Sequence, residues 1–319
     1  MTSADIIILS WDRLDDTIAA ITSALEQQSI ELRVIVVDQG SKPENLQKLK
    51  EFCAKDSRVL LLCNTINNGV PGGRNQASFA GNGTYIVALD NDAVFADQFQ
   101  LAKSVEIMNS HPNLGILAFR IKLFSADIDD ISSWAYSDDP TDEPTQTFKT
   151  TRFVGAGHSI RRDIFEKIGG YDERLFFMHE EVDLSKRMIN AGYEIEYNPN
   201  VVVRHKVSPE NRVGWTDKRF YYDVRNRTYL HIKHKTKILT MAFHTFLLLS
   251  KGLRMGYFIP ALKGLASAII LIPSAIHQRL KDPYLTVNEW AEKYNNMCNP
   301  LANRSLWERI KFRISNYKK

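Results

Sequence analysis

The 319-residue chain is 44% hydrophobic and 24% charged, an ordinary globular balance with room for one large α/β domain and an extension. Its three cysteines, Cys53, Cys63 and Cys298, form no CxxC pair, so neither a disulfide framework nor a zinc site is implied and a reducing cytoplasm is expected. The net charge of +4 hides an asymmetry: between Arg204 and Lys281 there are 15 Lys/Arg against 3 Asp/Glu, a local +12 that leaves −8 for the remainder. Such a basic block suits anionic lipid or nucleic acid, and the apolar stretches inside it favour lipid, with no nucleic-acid partner.

At the N-terminus only Ile6 to Leu9 form an unbroken apolar run, too short for a signal-peptide core. Asp5–Ser10 is therefore read as a strand. Leu14, Ile18, Ile21 and Leu25 fall at helical spacing, and Leu32–Asp38 is a continuous β-branched run, as in a strand covered on both faces. Glu44–Lys55 is helical in pattern, Arg58–Cys63 a third strand, Asn67–Asn75 a glycine-rich loop leading into a short helix, and Tyr85–Leu89 a fourth strand. This βαβαβαβ order predicts a doubly wound, mostly parallel α/β sheet.

Further on, the pattern gives a helix over Gln98–Ser110, a strand over Gly115–Phe124 and a long acidic loop over Ser125–Thr150. Short helices are expected at Asp163–Lys167 and Glu180–Asn190, the latter closed by Gly192, and short strands at Tyr193–Tyr197 and Val201–Val203. From Trp215 the character changes. Ile238–Leu249 and Tyr257–Ile276 are strongly apolar but interrupted, short of the roughly 20 apolar residues that span a bilayer. Helices lying in the membrane interface fit this composition, with a packed helical subdomain as the alternative.

Open parallel sheets deliver functional groups at the C-terminal ends of their strands. Here those ends carry Ser10 to Arg13, Asp38 to Ser41, the glycine-rich Asn67–Asn75 with Arg74, and Asp90-Asn91-Asp92. Two carboxylates bracketing one residue at a strand end can hold Mg²⁺ or Mn²⁺, which neutralises a diphosphate. The glycine-rich loop is neither GxGxxG nor a P-loop. In His179-Glu180-Glu181-Val182-Asp183, acids suit a helix N-terminus, yet their mutual repulsion also lifts a pKa towards general-base range. His205, after an apolar run, is a further candidate metal ligand.

The ordered motifs VIVVDQGS, NNGVPGGRNQA, ALDND, VGAGHSIRRDIFEKIGGYDERLF, HEEVDLSKRMINAGYEIEYNP and His205 resemble the family 2 glycosyltransferases of the GT-A fold, from about Asp5 to His205. The C-terminal part resembles that of bacterial enzymes, rhamnosyltransferases among them, that build cell-surface polysaccharide on lipid carriers. The resemblance implies a catalytic domain over 1–214 (nucleotide-sugar half about 1–96, acceptor half about 97–214) and a helical, basic and apolar region over 215–319. It implies that Asp38 and Arg74 read a pyrimidine base, that Ser10 lies at the nucleotide pocket, and that Asp90 faces the ribose or metal shell. Asp92 and His205 would bind the metal. The family's Glu-Asp pair falls on Glu180-Glu181, making Glu181 the base, with aspartate replaced by glutamate and Glu180 the other choice. Asp183 and Gly157 would lie on the acceptor side.

The resulting expectation is a metal-dependent, inverting transfer of one sugar from a UDP- or dTDP-sugar to a glycan, lipid-linked acceptor. The enzyme would sit on the cytoplasmic face of the membrane, on anionic lipid. No Q-x-x-R-W motif of processive synthases is present. A sugar-1-phosphate nucleotidyltransferase would want a lysine-bearing glycine-rich signature after the first strand, and a non-catalytic sugar-nucleotide-binding relative would not need the intact acids.

Overall fold

A computed structural model describes residues 2–136, 144–206, 215–298, 307, 308 and 311. The 214/215 division and the chain beyond 311 lie outside these residues.

A βαβαβαβ run comes first: β1 (Ser3–Ser10), α1 (Leu14–Leu25), β2 (Glu31–Gln39), α2 (Pro43–Cys53), β3 (Val59–Asn64), α3 (Gly69–Ala80) and β4 (Tyr85–Leu89). The apolar runs of β1, β2 and β4 bury both faces. Ile6, Ile8, Val34, Val36 and Val87 pack into one core layer, and Ile7, Ile35, Val37, Ile86 and Ala88 into the other. Fully burying one such side chain is worth about 1.5–3 kcal/mol, so a one-residue slip in register is strongly disfavoured.

The second half adds β5 (Ala93–Phe95), α4 (Gln100–Ser110), β6 (Leu114–Leu123), β7 (Phe148–Lys149), β8 (Gly157–Arg161), α5 (Arg162–Lys167), α6 (Glu180–Asn190) and β9 (Glu194–His205). Among the described residues all nine strands join one sheet in the order β3-β2-β1-β4-β8-β6-β9-β5, with β7 on β9. The sheet is mixed. β3-β2-β1-β4 and β6-β9 are parallel, whereas β8 runs antiparallel to both β4 and β6, and β5 antiparallel to β9.

Three expectations change. The glycine-rich segment is not a loop: α3 starts at Gly69, placing Arg74 beyond its first turn. Gly69 has φ +77°, and a Cβ there would run into the Phe176 backbone. The two short strands at 193–203 are one strand, β9, whose pairing with β6 shifts register between Phe119 and Arg120. The acidic segment 125–150 contains a 3₁₀ turn at Ile131–Ser133 and the edge strand β7.

The C-terminal part consists of α7 (Asp217–Lys233), α8 (Ile238–Met255), α9 (Phe258–Ile270), α10 (Ile272–Lys281) and α11 (Glu289–Cys298). Two of these helices grip the sheet domain. The Tyr294 hydroxyl of α11 accepts from Ile195 N and shares its one proton between the Ile195 carbonyl at 2.7 Å and the Thr150 carbonyl at 3.0 Å. α7 buries Asp223, Asn226, Thr228 and Lys233 beside Phe220, Val224 and Tyr229. Helices α8–α10 leave large apolar side chains in solvent, including Leu239 (85% exposed), Ile270 (78%) and Leu280 (79%). Among the described residues no single helix is long and apolar enough to cross a membrane; α9 and α10, bent by 47°, reach that length and composition only as a pair.

Candidate active site

A cleft of about 670 Å³ opens where β1, β2 and β4 end. Its floor is built by register. β4 ends at Leu89, so Asp90, Asn91 and Asp92 leave the sheet edge together. The antiparallel pairing of β5 with β9 sets Ala93 opposite His205 and thereby brings the histidine beside Asp92. Asp90, Asp92 and His205 each offer a ligand atom, all within 4.8 Å of one another.

The orientation of these groups is set by neighbours. His205 is fully buried, with Nδ1 3.1 Å from Asp130 Oδ2 and Nε2 3.3 Å from Asp92 Oδ1. A carboxylate behind a histidine fixes its tautomer and raises its basicity as a ligand. Burial alone would lift the Asp130 carboxyl, but hydrogen bonds from His205, Ser132 and Ser133 prevail and hold it well below the carboxylate range. Arg13 Nη1 reaches Asp92 Oδ2 at 2.7 Å. Two hard carboxylates and an oriented imidazole suit Mg²⁺ or Mn²⁺.

The facing wall carries the acids of α6. Arg74 is buried, and its guanidinium spans the cleft. Nη2 donates to the Gly155 carbonyl at 2.9 Å and lies 3.2 Å from Asp90; Nη1 is 3.4 Å from Glu181 and 3.7 Å from Glu180. A Cβ at Gly155 would stand 2.6 Å from Glu181 Oε1 and 2.7 Å from Arg74 Nη2, so a side chain there would push the ends of both aside. Glu180 is 3% exposed; burial first, and Glu181 second, push its carboxyl up to about 8 against the pull of Arg74. Glu181, with a side chain 21% exposed, faces the opening.

The other sequence candidates fall around this cleft. Ser10 lines it. Asp38 is fully buried at the end of β2, where its carboxylate accepts from the Gly40 and Ser41 amides and the Ser41 hydroxyl, while the next residue, Gln39, reaches the cleft. Gly157 sits inside β8 opposite Leu89, packed against Val203 and Phe119, and Gly155 is the glycine at the cleft wall. Asp183 points away from the cleft into a buried network with Arg187, Lys233 and His234, each 2.8 Å away. Burial would raise its carboxyl, but those cations and the His234 hydrogen bond hold it well below the usual range. Sequence reasoning missed Asp130, which backs His205, and Gln39 and Arg219 of α7, which line the cleft. Only Gln39 carried a signal, as a polar residue at a strand end.

Residues 5–169 match the profile of Glycosyl transferase family 2. The chain belongs to that family. A relative, the O-antigen chain rhamnosyltransferase RfbN of Salmonella typhimurium, is 26% identical over 203 residues, covering 58% of this chain and 60% of that protein. The chain spans less than two thirds of the length of the curated relatives it matches first. Two solved structures share the fold. GalNAc-T7 with UDP, GalNAc and Mn²⁺ superposes with a TM-score of 0.59 at 15% identity, over 73% of this chain and 50% of that one. The mannosyltransferase PcManGT of Pyrobaculum calidifontis with GDP-Man and Mn²⁺ gives 0.56 at 17% identity, over 96% and 87%. These are GT-A-like neighbours, and the family 2 chain shares their fold.

Proposed function

We propose that this family 2 chain moves one sugar from a UDP- or dTDP-sugar onto a hydroxyl of a glycan acceptor, by a metal-dependent single displacement that inverts the anomeric carbon. The observation that carries this reading is the convergence within 4.8 Å of Asp90 and Asp92, which line the cleft across from Glu181, with His205 buried beside them. A divalent cation held there by Asp92, His205 and Asp90 would supply charge neutralisation for a diphosphate leaving group.

The chain's own groups do the rest. Glu181 accepts the proton of the acceptor hydroxyl as its oxygen bonds to the anomeric carbon and the carbon–diphosphate oxygen bond breaks. Glu180, more deeply buried and holding its proton up to about pH 8, is the poorer base at neutrality. Ser10, Asp38 with its turn, and Arg74 would form the nucleotide side, Arg74 tying Asp90 to the acidic wall. Gly155 and Gly157 belong to the acceptor-side strand and its approach, and Asp183 supports α6 from behind.

The basic, apolar helices α8–α10 favour a lipid-linked acceptor and a seat on the anionic cytoplasmic leaflet of the membrane. Lys235, Lys237, Lys251 and Arg254 accompany exposed Leu239, Phe246 and Leu253. The direct test is a screen of UDP-, dTDP- and GDP-sugars for hydrolysis with and without Mn²⁺. Metal-dependent release of UDP or dTDP is expected, and turnover indifferent to the metal would refute the reading.

A further inference from the structure

The acid pair is delivered by backbone in an unfavourable conformation. Phe176, Met178 and His179 have φ of 59°, 70° and 70°, the left-handed region that costs non-glycine residues of order 1–3 kcal/mol each. Such a turn persists only where its surroundings hold it, and the residues that hold this one come from α7. Asn226 is fully buried, and its amide Nδ2 lies 2.9, 2.8 and 2.8 Å from the carbonyls of Leu175, Phe177 and Met178. An amide nitrogen has two protons to donate, so all three carbonyls draw on one group. Asp223, three residues earlier, is 1% exposed and accepts from His179 Nε2 at 2.7 Å. Tyr222 stacks on Phe176 with ring centroids 5.5 Å apart. The far side of the turn touches the first turn of α3: Val70 N donates to the Phe176 carbonyl at 2.7 Å.

We propose that Asn226, seconded by Asp223, is a positioning residue for transfer: it fixes the 175–179 turn so that Glu180 and Glu181 face Arg74 across the cleft. The inference rests on the reading of Glu181 as the base. It assigns a role in the chemistry to a helix outside the segment that matches the family profile. Deleting this helix's amide leaves α6 intact as a helix but lets its first turn swing.

The test uses the full chain, with UDP and Mn²⁺ as binding probes and UDP-glucose, UDP-N-acetylglucosamine and dTDP-rhamnose as donors. Asn226→Asp keeps the volume but turns an oxygen towards the three carbonyls. Amide hydrogen exchange across 175–181 should quicken by about tenfold or more while β1 and β4 stay protected, since local opening is reported residue by residue. The kcat of donor turnover should fall by a similar factor with donor KM and UDP affinity within about twofold. Val224→Ala, on the apolar side of α7 with Phe220 and Leu248, is the control for mere helix destabilisation and should leave kcat near wild type. Equal exchange at 175–181 in Asn226→Asp and wild type, or a kcat loss no greater than that of Val224→Ala, overturns the proposal. Should Asn226→Asp fail to accumulate folded, Asp223→Ala carries the same expectations. The two roles separate cleanly: an active Glu181→Gln removes the base assignment itself, whereas an inactive Glu181→Gln beside an unaffected Asn226→Asp removes only the positioning role.

Discussion

Arg74 Nη1 stands 3.4 Å from Glu181 Oε1, although the two residues are 107 positions apart. The same guanidinium lies 3.2 Å from Asp90 through its other nitrogen. One buried cation thus joins the end of β4, where the candidate metal ligands gather, to the start of α6, where the proposed base stands. Charge changes on either side of the cleft are therefore felt on the other, because partly buried pairs are screened much less than exposed ones.

Glu181→Gln should lower turnover by about 10²–10⁴-fold, the usual worth of a general base, with UDP affinity in Mn²⁺ nearly unchanged. Steady-state rates and calorimetry check this together. An active Glu181→Gln beside an inactive Glu180→Gln would move the role by one residue.

Glu180 makes a prediction about stability. Its carboxyl, ordinarily near 4.5, is pushed up to about 8 in the folded chain. Below 4.5 both folded and unfolded states hold the proton, and folding carries no penalty. As pH rises to 8 the folded state keeps a proton that the unfolded state has lost, so stability falls, each unit being worth about 1.4 kcal/mol. Glu180→Gln removes that loss. Its Tm relative to wild type should climb between pH 4.5 and 8 and level off above. A Tm difference constant from pH 4 to 9 would contradict the assignment.

How much of this was written in the chain depends on what each segment packs against. The runs of β1, β2 and β4 were legible because burial on both faces demands unbroken apolar sequence. The glycine-rich start of α3 was not, because glycine is a poor helix former and only the close approach of Phe176 explains Gly69. α7 was legible only as part of a helical region over 215–319, because Asp223, Asn226 and Lys233 interrupt the apolar period of Phe220, Val224 and Tyr229 on its buried face. The strand ends pointed to Asp90 and Asp92 from the sequence itself. Asp130 behind His205 could not be seen, since a buried carboxylate in an acidic segment looks like a solvated one until the sheet is built.

The exposed faces of α8–α10 lead to a test with lipid. The full chain should float with anionic liposomes at low salt and release as salt rises, since each lysine or arginine near the surface contributes about 1 kcal/mol that screening removes. Binding indifferent to lipid charge and salt would mean a purely hydrophobic anchor. Absence of binding would return these helices to a soluble interface.

The most direct test of the proposed chemistry is calorimetric titration of UDP into the full chain in Mn²⁺ and in EDTA, for wild type and Asp92→Ala. Wild type should bind UDP at least about tenfold more tightly with Mn²⁺, a difference of about 1.4 kcal/mol, and Asp92→Ala should lose that difference while melting at a similar temperature. Equal affinity in Mn²⁺ and EDTA, or an undiminished metal effect in Asp92→Ala, would contradict a diphosphate held through metal at the end of β4.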